Sequence, residues 1–332
     1  MIDYLSLAEK SLSGSVLDRD ECIGVLSTRP EKMLDLLQAA FRVREAYFGR
    51  KVIVQLLVNA KSGSCSEDCA YCSQSALSAA EIEKYPLIDE EEIIAGARAA
   101  REAKAVRYCI VTSGRAPGKE NLERICRAAS RIKRESGISL CASLGFLDKK
   151  EAAALKAAGI DRYNHNLNTS RAFYPSICST HAYGDRRETI VQARRAGLEI
   201  CSGALLGMGE SDQDIMDIAL AFRELKPESI PVNFLHPVSG TSLEKVDYLT
   251  PMKCLAILCL FRFLNPESEI RASGGREYHL RSLQPLALYP ANSIFVSGYL
   301  TTSGQAPEEA WKMIEDMGFE VEAEVTQELA VK

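Results

Sequence analysis

Residues 105–145 read AVRYCIVTSGRAPGKENLERICRAASRIKRESGISLCASLG, and this stretch decides the fold. Its opening, 106–112, is a short, largely apolar run bounded by Ser113 and Gly114, the signature of a strand. Leu122, Ile125, Ala129 and Ile132 then recur at helical spacing. Gly137 stands where a helix commonly ends, and a second apolar run, 138–144, follows at once. Strand, helix and strand joined by short connections make a βαβ unit with parallel strands.

Outward from this unit the same alternation continues. Strand candidates fall at 52–58, 106–112, 138–144, 161–167, 198–206, 230–235, 269–272 and 293–296. Helical patterns such as Ile215, Ile218, Phe222 and Leu225 separate them, and Gly159 and Gly197 mark further helix ends. Eight such units with no composition break predict an α/β fold, a single (β/α)8 TIM-type barrel. A doubly wound sheet is the alternative, but no G-x-G-x-x-G follows the first strand. The first fifty residues read as helical: Thr28 and Glu31 make a capping box around Pro30, and Leu34, Leu37, Phe41 and Phe48 share a face. The expected organisation is a helical extension over 1–50, the barrel over 51–318 and a C-terminal tail over 319–332.

The chain has 332 residues, 46% of them hydrophobic and 26% charged, which suits a folded globular protein rather than a disordered one. Its apolar runs are too short to span a membrane, and MIDYLSLAEK at the start lacks the form of a secretory signal. A formal net charge of −5 argues against a nucleic-acid binder. The 11 cysteines are then the unusual feature, because a cytoplasmic protein without export does not build a disulfide framework. Some are therefore core residues, and metal ligation is the other use open to them.

Just past the first strand the chain reads SCSEDCAYCSQ (64–74), placing Cys65, Cys69 and Cys72 in a C-x3-C-x2-C array. The Ser, Glu and Asp around them do not suit a buried core strand. Structural zinc takes four closed ligands, and no fourth cysteine or histidine is local. Three thiolates suit a 4Fe-4S cluster with one iron left open to a small molecule. The loop leaving the C-terminal end of a barrel strand is also where barrel enzymes carry their chemistry. Cys109, Cys141 and Cys201 each lie in a predicted strand. They are three small buried core thiols or a second, interior site.

The C-x3-C-x2-C array, with Tyr71 at its penultimate position, resembles the signature of the radical S-adenosylmethionine enzymes. In that family the open iron binds S-adenosylmethionine, and its reductive cleavage gives a 5′-deoxyadenosyl radical that abstracts hydrogen from an unactivated carbon. The segment 203–210, GALLGMGE, is similar to the family's G-x-I-x-G-x-x-E pattern, with Leu205 where Ile is usual. Four stretches in order, KSGSCSEDCAYCSQ (61–74), YNHNLNTS (163–170), CSGALLGMGE (201–210) and RASGGRE (271–277), resemble the biotin synthase family. That resemblance implies sulfur insertion into dethiobiotin, and a 2Fe-2S cluster held by Cys109, Cys141, Cys201 and Arg271 as the immediate sulfur donor.

The same resemblance implies that Tyr71, Asn166, Asn168, Arg186, Gly203 and Leu205 contact S-adenosylmethionine, with Arg186 at the methionyl carboxylate. It further implies that Asn166 and Asn233 meet the substrate, Asn233 at the ureido ring. Asn168 stands where the family commonly has Asp, so its contact to the nucleoside is uncharged. The loop TSGRAPGKEN (112–121) lacks the G-G-E signature of many superfamily members. An electron donor such as flavodoxin or ferredoxin, and a homodimer, complete what the resemblance implies. The four histidines, His165, His181, His236 and His279, form no metal or acid–base set and read as structural, as do Cys22, Cys126, Cys178, Cys254 and Cys259.

Overall fold

Asp3 and Asp18 cap the first two helices through their carboxylates, so α1 (Tyr4–Leu12) and α2 (Arg19–Leu26) begin where acidic residues meet free backbone N–H groups. A third helix, α3 (Met33–Phe48), follows a short 3-10 turn over Pro30–Lys32. The expected capping box at Thr28 and Glu31 is not formed. Thr28 Oγ1 donates instead to the Val25 carbonyl at 2.8 Å, because Thr28 lies at the end of α2 and serves its last turn. Leu34, expected on the buried face, is 70% exposed, and the face that packs is Met33, Leu36, Leu37, Ala40 and Val43. The computed structural model describes residues 2–298, 300–301 and 304–322.

The barrel then runs β1 (Lys51–Lys61), α4 (Glu90–Glu102), β2 (Arg107–Thr112), α5 (Lys119–Glu135), β3 (Ser139–Ser143), α6 (Lys149–Ala157) and β4 (Arg162–Asn164). It continues with α7 (Tyr183–Arg195), β5 (Glu199–Cys201), β6 (Ala204–Leu206), α8 (Asp212–Leu225), β7 (Ser229–Phe234), α9 (Pro251–Leu264) and β8 (Glu269–Ala272). The last elements are α10 (Arg276–Leu280), β9 (Ser293–Phe295), α11 (Pro307–Asp316) and β10 (Glu320–Val321). Neighbouring strands pair parallel, and β1 pairs with both β2 and β9, which closes the sheet. Closure removes the exposed strand edges that an open sheet must manage.

Two departures from the sequence pattern shape the site. The run 198–206 is not one strand but β5 and β6, parted at Ser202 and Gly203. A Cβ on Gly203 would lie 1.9 Å from the Pro231 carbonyl oxygen of β7, so the two backbones approach more closely than any side chain allows. The run 161–167 is strand only to Asn164, and Asn168 rejoins as a single bridge to Ala204. Asn168 adopts φ +71°, a left-handed conformation that asparagine tolerates better than most residues.

Helix α9 is buried from Cys254 to Leu264. Such a helix, apolar all round, needs cover on every side, and α1, α2 and α3 pack on it. Of the segment 319–332, Phe319 is buried and β10 pairs with β1, while 323–332 lie outside the described residues. Among the described residues no helix is long and apolar enough to cross a membrane.

Candidate active site

The loop after β1 folds on itself through its backbone. Cys65 N–H donates to the Gln74 carbonyl at 3.1 Å, Ala76 N–H to the Cys65 carbonyl at 2.7 Å, and Cys72 N–H to the Cys69 carbonyl at 3.0 Å. The acidic residues between the cysteines anchor this loop to the segment after β4. Asp68 accepts from the Ser179 and Thr180 backbones at 3.0 and 3.1 Å, and the Ser179 hydroxyl and its other donors hold its carboxyl well below the usual range. Glu67 accepts from Arg115 at 2.9 Å, from Thr180 at 2.8 Å and from His181. Burial raises the Glu67 carboxyl, but these donors outweigh it and the net direction is down. Ala70 N–H closes the attachment on the Ile177 carbonyl at 2.9 Å.

Cys65, Cys69 and Cys72 line one wall of a cavity of ≈ 290 Å³ at the C-terminal ends of the barrel strands. A hydrogen bond to Cys178 and burial raise the Cys69 thiol, and burial raises Cys72. A metal taking these sulfurs must displace their protons, and the donor set fits a soft, thiophilic iron centre. Two residues read as structural stand against this loop. Cys178 Sγ lies 3.9 Å from Cys69 Sγ, and His181 is hydrogen-bonded to Cys178, Tyr174 and Glu67. Cys69, Cys178 and His181 bring their ligand atoms within 4.8 Å of one another. Arg186 Nε, however, donates to His181 Nε2 at 3.2 Å, which sets a fixed cation beside that group and favours an imidazole braced between Glu67 and Arg186. The C-x2-H spacing of Cys178 and His181 was the available signal for their proximity.

The residues expected at S-adenosylmethionine converge on the same cavity. Tyr71, Asn166, Asn168, Arg186 and Leu205 line it. Asn168 Nδ2 donates to Tyr71 Oη at 2.6 Å, and Asn166 Oδ1 accepts from the Gly203 N–H at 3.0 Å, leaving the Asn166 amide N–H groups available. Arg186 Nη1 donates to the Asn166 carbonyl at 3.0 Å, and its Nε is held by Tyr174 and His181. Its Nη2 has no hydrogen-bond partner among the described residues, so one edge of the fork can take a carboxylate. Gly203 does not line the cavity but sets the course of the strand behind it. Glu210, at the end of GALLGMGE, accepts from the Gly207 and Met208 backbones at 2.6 and 2.8 Å and braces that turn.

Asn233 lines the cavity, yet both ends of its amide serve backbone: Oδ1 accepts from Gly274 at 3.0 Å and Nδ2 donates to Ala204 at 3.0 Å. One N–H and one lone pair remain for a ligand. His165 and His236, read as structural, also line the cavity, and buried His165 Nε2 has no partner among the described residues. Such an orphaned polar atom in a cavity wall marks a position for a ligand's polar group.

Cys109, Cys141, Cys201 and Arg271 lie one layer deeper. Val111 and Ser143 line the cavity, and Cys109 and Cys141 sit two residues earlier on the same strand faces. Register places Cys109 beside Cys141, and Arg271 Nη1 comes within 3.8 Å of Cys201 Sγ. All four are buried. The neighbouring Cys141 and burial raise the Cys109 thiol, the neighbouring Cys109 lowers Cys141, and burial raises Cys201 against the pull of Arg271. The three interior thiols thus converge beneath the cavity, and a thiophilic cluster suits that donor set. Around them lie polar inward residues that the sequence reading passed over: Gln55, Arg162 and Glu269. Their signal was a charged or amide residue inside or beside a predicted barrel strand.

Comparison with known proteins identifies the family. Residues 61–222 match the model of the radical SAM superfamily, and 231–320 match the biotin and thiamin synthesis associated domain. The chain is 48% identical over 322 residues to biotin synthase of Geobacillus kaustophilus, covering 97% of each chain. It is 50% identical over 316 residues to that of Magnetococcus marinus, covering 95% of this chain and 98% of the relative. Among solved structures, methylornithine synthase superimposes with a TM-score of 0.83 at 21% identity, over 95% of this chain and 97% of the other. The FeFe-hydrogenase maturase HydG from Carboxydothermus hydrogenoformans gives 0.79 at 20%, over 95% and 78%. These two likenesses speak for the barrel fold alone.

Proposed function

This chain belongs to the biotin synthase family of radical S-adenosylmethionine enzymes, and from that premise we propose how its residues divide the work of sulfur insertion into dethiobiotin. The observation that carries the reading is the stacking of two cysteine triplets along one barrel, the outer at a cavity wall and the inner one layer beneath. Cys65, Cys69 and Cys72 hold the 4Fe-4S cluster, and Cys109, Cys141, Cys201 and Arg271 hold a 2Fe-2S cluster. When bound, the first group supplies the electron that cleaves S-adenosylmethionine and the second supplies the inserted sulfur.

The chain's own side chains bind, orient and shield. The free edge of Arg186 takes the methionyl carboxylate, and Tyr71 with Asn168 supports the nucleoside. Asn166 offers amide N–H groups between cofactor and substrate, and Asn233 offers its remaining N–H and lone pair to the ureido ring. Leu205, Val111 and Phe234 contribute apolar wall, so water is kept from a reactive carbon radical. No general base is required for a hydrogen atom lost from an unactivated carbon. Eleven cysteines with no disulfide among them support a reducing compartment, the cytoplasm, and the family reading adds a homodimer with flavodoxin or ferredoxin as reductant. The helical extension over 1–50, the barrel over 51–318 and the tail over 319–332 remain the proposed division of the chain.

Anaerobic reconstitution tests the reading. Iron and sulfide should match one cluster of each type, and dithionite with S-adenosylmethionine and dethiobiotin should yield biotin and 5′-deoxyadenosine. Undiminished biotin formation after Cys109, Cys141 and Cys201 are all changed to Ala would sink the assignment of the inner site.

A further inference from the structure

Barrels of this type usually fill their interior with layers of branched apolar side chains. The layer next to the strand cysteines is charged here instead. Glu269 on β8 and Arg162 on β4 are buried and paired at 2.8 Å. Glu269 also accepts from Arg271 Nη2 and from Gln55 Nε2, both at 2.6 Å. Compared with apolar packing of similar volume, a buried ion network is weak as a source of stability, so its presence asks for another reason.

Arg271 supplies that reason. Its Nη2 donates to Glu269 and to Ser229 at 2.8 Å, and its Nε donates to Ser293 at 3.1 Å. Those bonds fix the plane of the guanidinium. Nη1 is the nitrogen left over, and it is the one near Cys201 Sγ. Arg162 is the register partner of Cys141 and sits on the other side of the same carboxylate. Glu199, half-exposed, takes the Arg162 Nε at 2.9 Å and lies 3.6 Å from Arg107. Counting the fully buried groups alone, two guanidiniums face one carboxylate, and the thiols stand next to that surplus of positive charge. The arginines also oppose the upward push of burial on Cys201.

We propose that Glu269 and Arg162 are positioning residues for the interior ligands: Glu269 locks Arg271 with Nη1 toward Cys201, and Arg162 offsets the Glu269 charge so that the layer stays positive toward the sulfurs. The proposal rests on the 2Fe-2S assignment above. A charge role and a packing role make different demands on variants. Replacing a negative group by a neutral one favours the more negative, reduced cluster, whereas replacing a positive group disfavours it.

The test uses anaerobically reconstituted wild type, Glu269→Gln, Arg162→Gln and Arg162→Lys, each assayed for iron and sulfide and titrated spectroelectrochemically for the interior cluster's midpoint potential. Glu269→Gln should raise that potential, Arg162→Gln should lower it, and Arg162→Lys should stay close to wild type. Shifts of the same sign in the two Gln variants, or no shift in either, would overturn the proposal. Should Glu269→Gln fail to fold, the Arg162→Gln and Arg162→Lys pair still decides, since a packing role predicts no restoration by lysine. Wild type that assembles only the outer cluster would instead overturn the assignment on which the proposal rests.

Discussion

Changing Gly203 to Ala puts the break between β5 and β6 to a quantitative test. The new Cβ would meet the Pro231 carbonyl oxygen at 1.9 Å, Pro231 Cγ at 2.6 Å and Pro231 C at 2.8 Å, and real Cβ contacts almost never fall below 3.0 Å. The obstacle is mostly backbone of a central strand, so the chain at Gly203 must retreat from β7 by about 1 Å. Overpacking of this kind costs ~1–3 kcal/mol, and loosening the Gly203 N–H bond to Asn166 adds ~1 kcal/mol. With an unfolding entropy of ~2.1 cal/mol/K per residue, a chain of 332 residues loses about 3–6 °C of melting temperature for ~2–4 kcal/mol. The assay is thermal unfolding of the cluster-free chain by circular dichroism, with Gly184→Ala as the control. Gly184 lies in α7 with nothing within 4 Å of its added Cβ, so that substitution should hold or slightly raise the melting temperature. The same Gly203 variant should bind S-adenosylmethionine more weakly, because Asn166 loses its anchor. A Gly203→Ala protein that melts with wild type and binds S-adenosylmethionine normally would refute the steric argument.

Three further outcomes follow from the site. Arg186→Gln removes a charged donor worth ~1.5–3 kcal/mol, so the KM for S-adenosylmethionine should rise roughly 10- to 100-fold in steady-state assays; an unchanged KM would remove Arg186 from the cofactor site. Burial, with the Arg186 charge, holds the His165 imidazole well below its usual value. Unfolding therefore takes up a proton below about pH 6.5, and stability, full above that pH, falls on acidification by up to ~1.4 kcal/mol per pH unit. Melting curves at pH 7.5 and 5.5 should show a smaller loss for His165→Gln than for wild type, and equal losses would exclude a buried neutral His165. Cys178→Ala should retain the iron and sulfide content of wild type, since Cys178 contacts Cys69 without belonging to either triplet; loss of a whole cluster would show that it does.

Legibility in the sequence followed the range of the interactions involved. The βα alternation is local, written in apolar spacing and helix-ending glycines such as Gly137, Gly159 and Gly197, and the barrel could be read from it. The C-x3-C-x2-C array is equally local. The break at Gly203 was not visible, because it depends on Pro231, which lies 28 residues away on a neighbouring strand. Leu34 misled for a related reason: helical spacing alone gave it a face, whereas contact with α9 selected a different one. Cys178 and His181 were dismissed one at a time, since only the folded loop brings them to Cys69 and Glu67. The charged interior went unread because Arg162 and Glu269 are 107 residues apart, and neither is unusual on its own.

Two arginines at different depths of the barrel are built alike, and this explains why the residue is arginine. Arg186 has Nε held by Tyr174 and His181 and Nη1 held by the Asn166 carbonyl. Arg271 has Nε held by Ser293 and Nη2 held by Ser229 and Glu269. In each case a planar group with several donors is fixed along one side, and one terminal nitrogen faces the place where a ligand is expected. Lysine could supply the charge at either position, but its single ammonium on a flexible stem cannot be held on one side and presented on the other. The difference between the two sites lies in what fixes them. Arg186 is held by neutral groups, which leaves its charge for a carboxylate. Arg271 is held in part by Glu269, which takes up much of its charge, and Arg162 is the buried cation that makes up the difference next to the thiols.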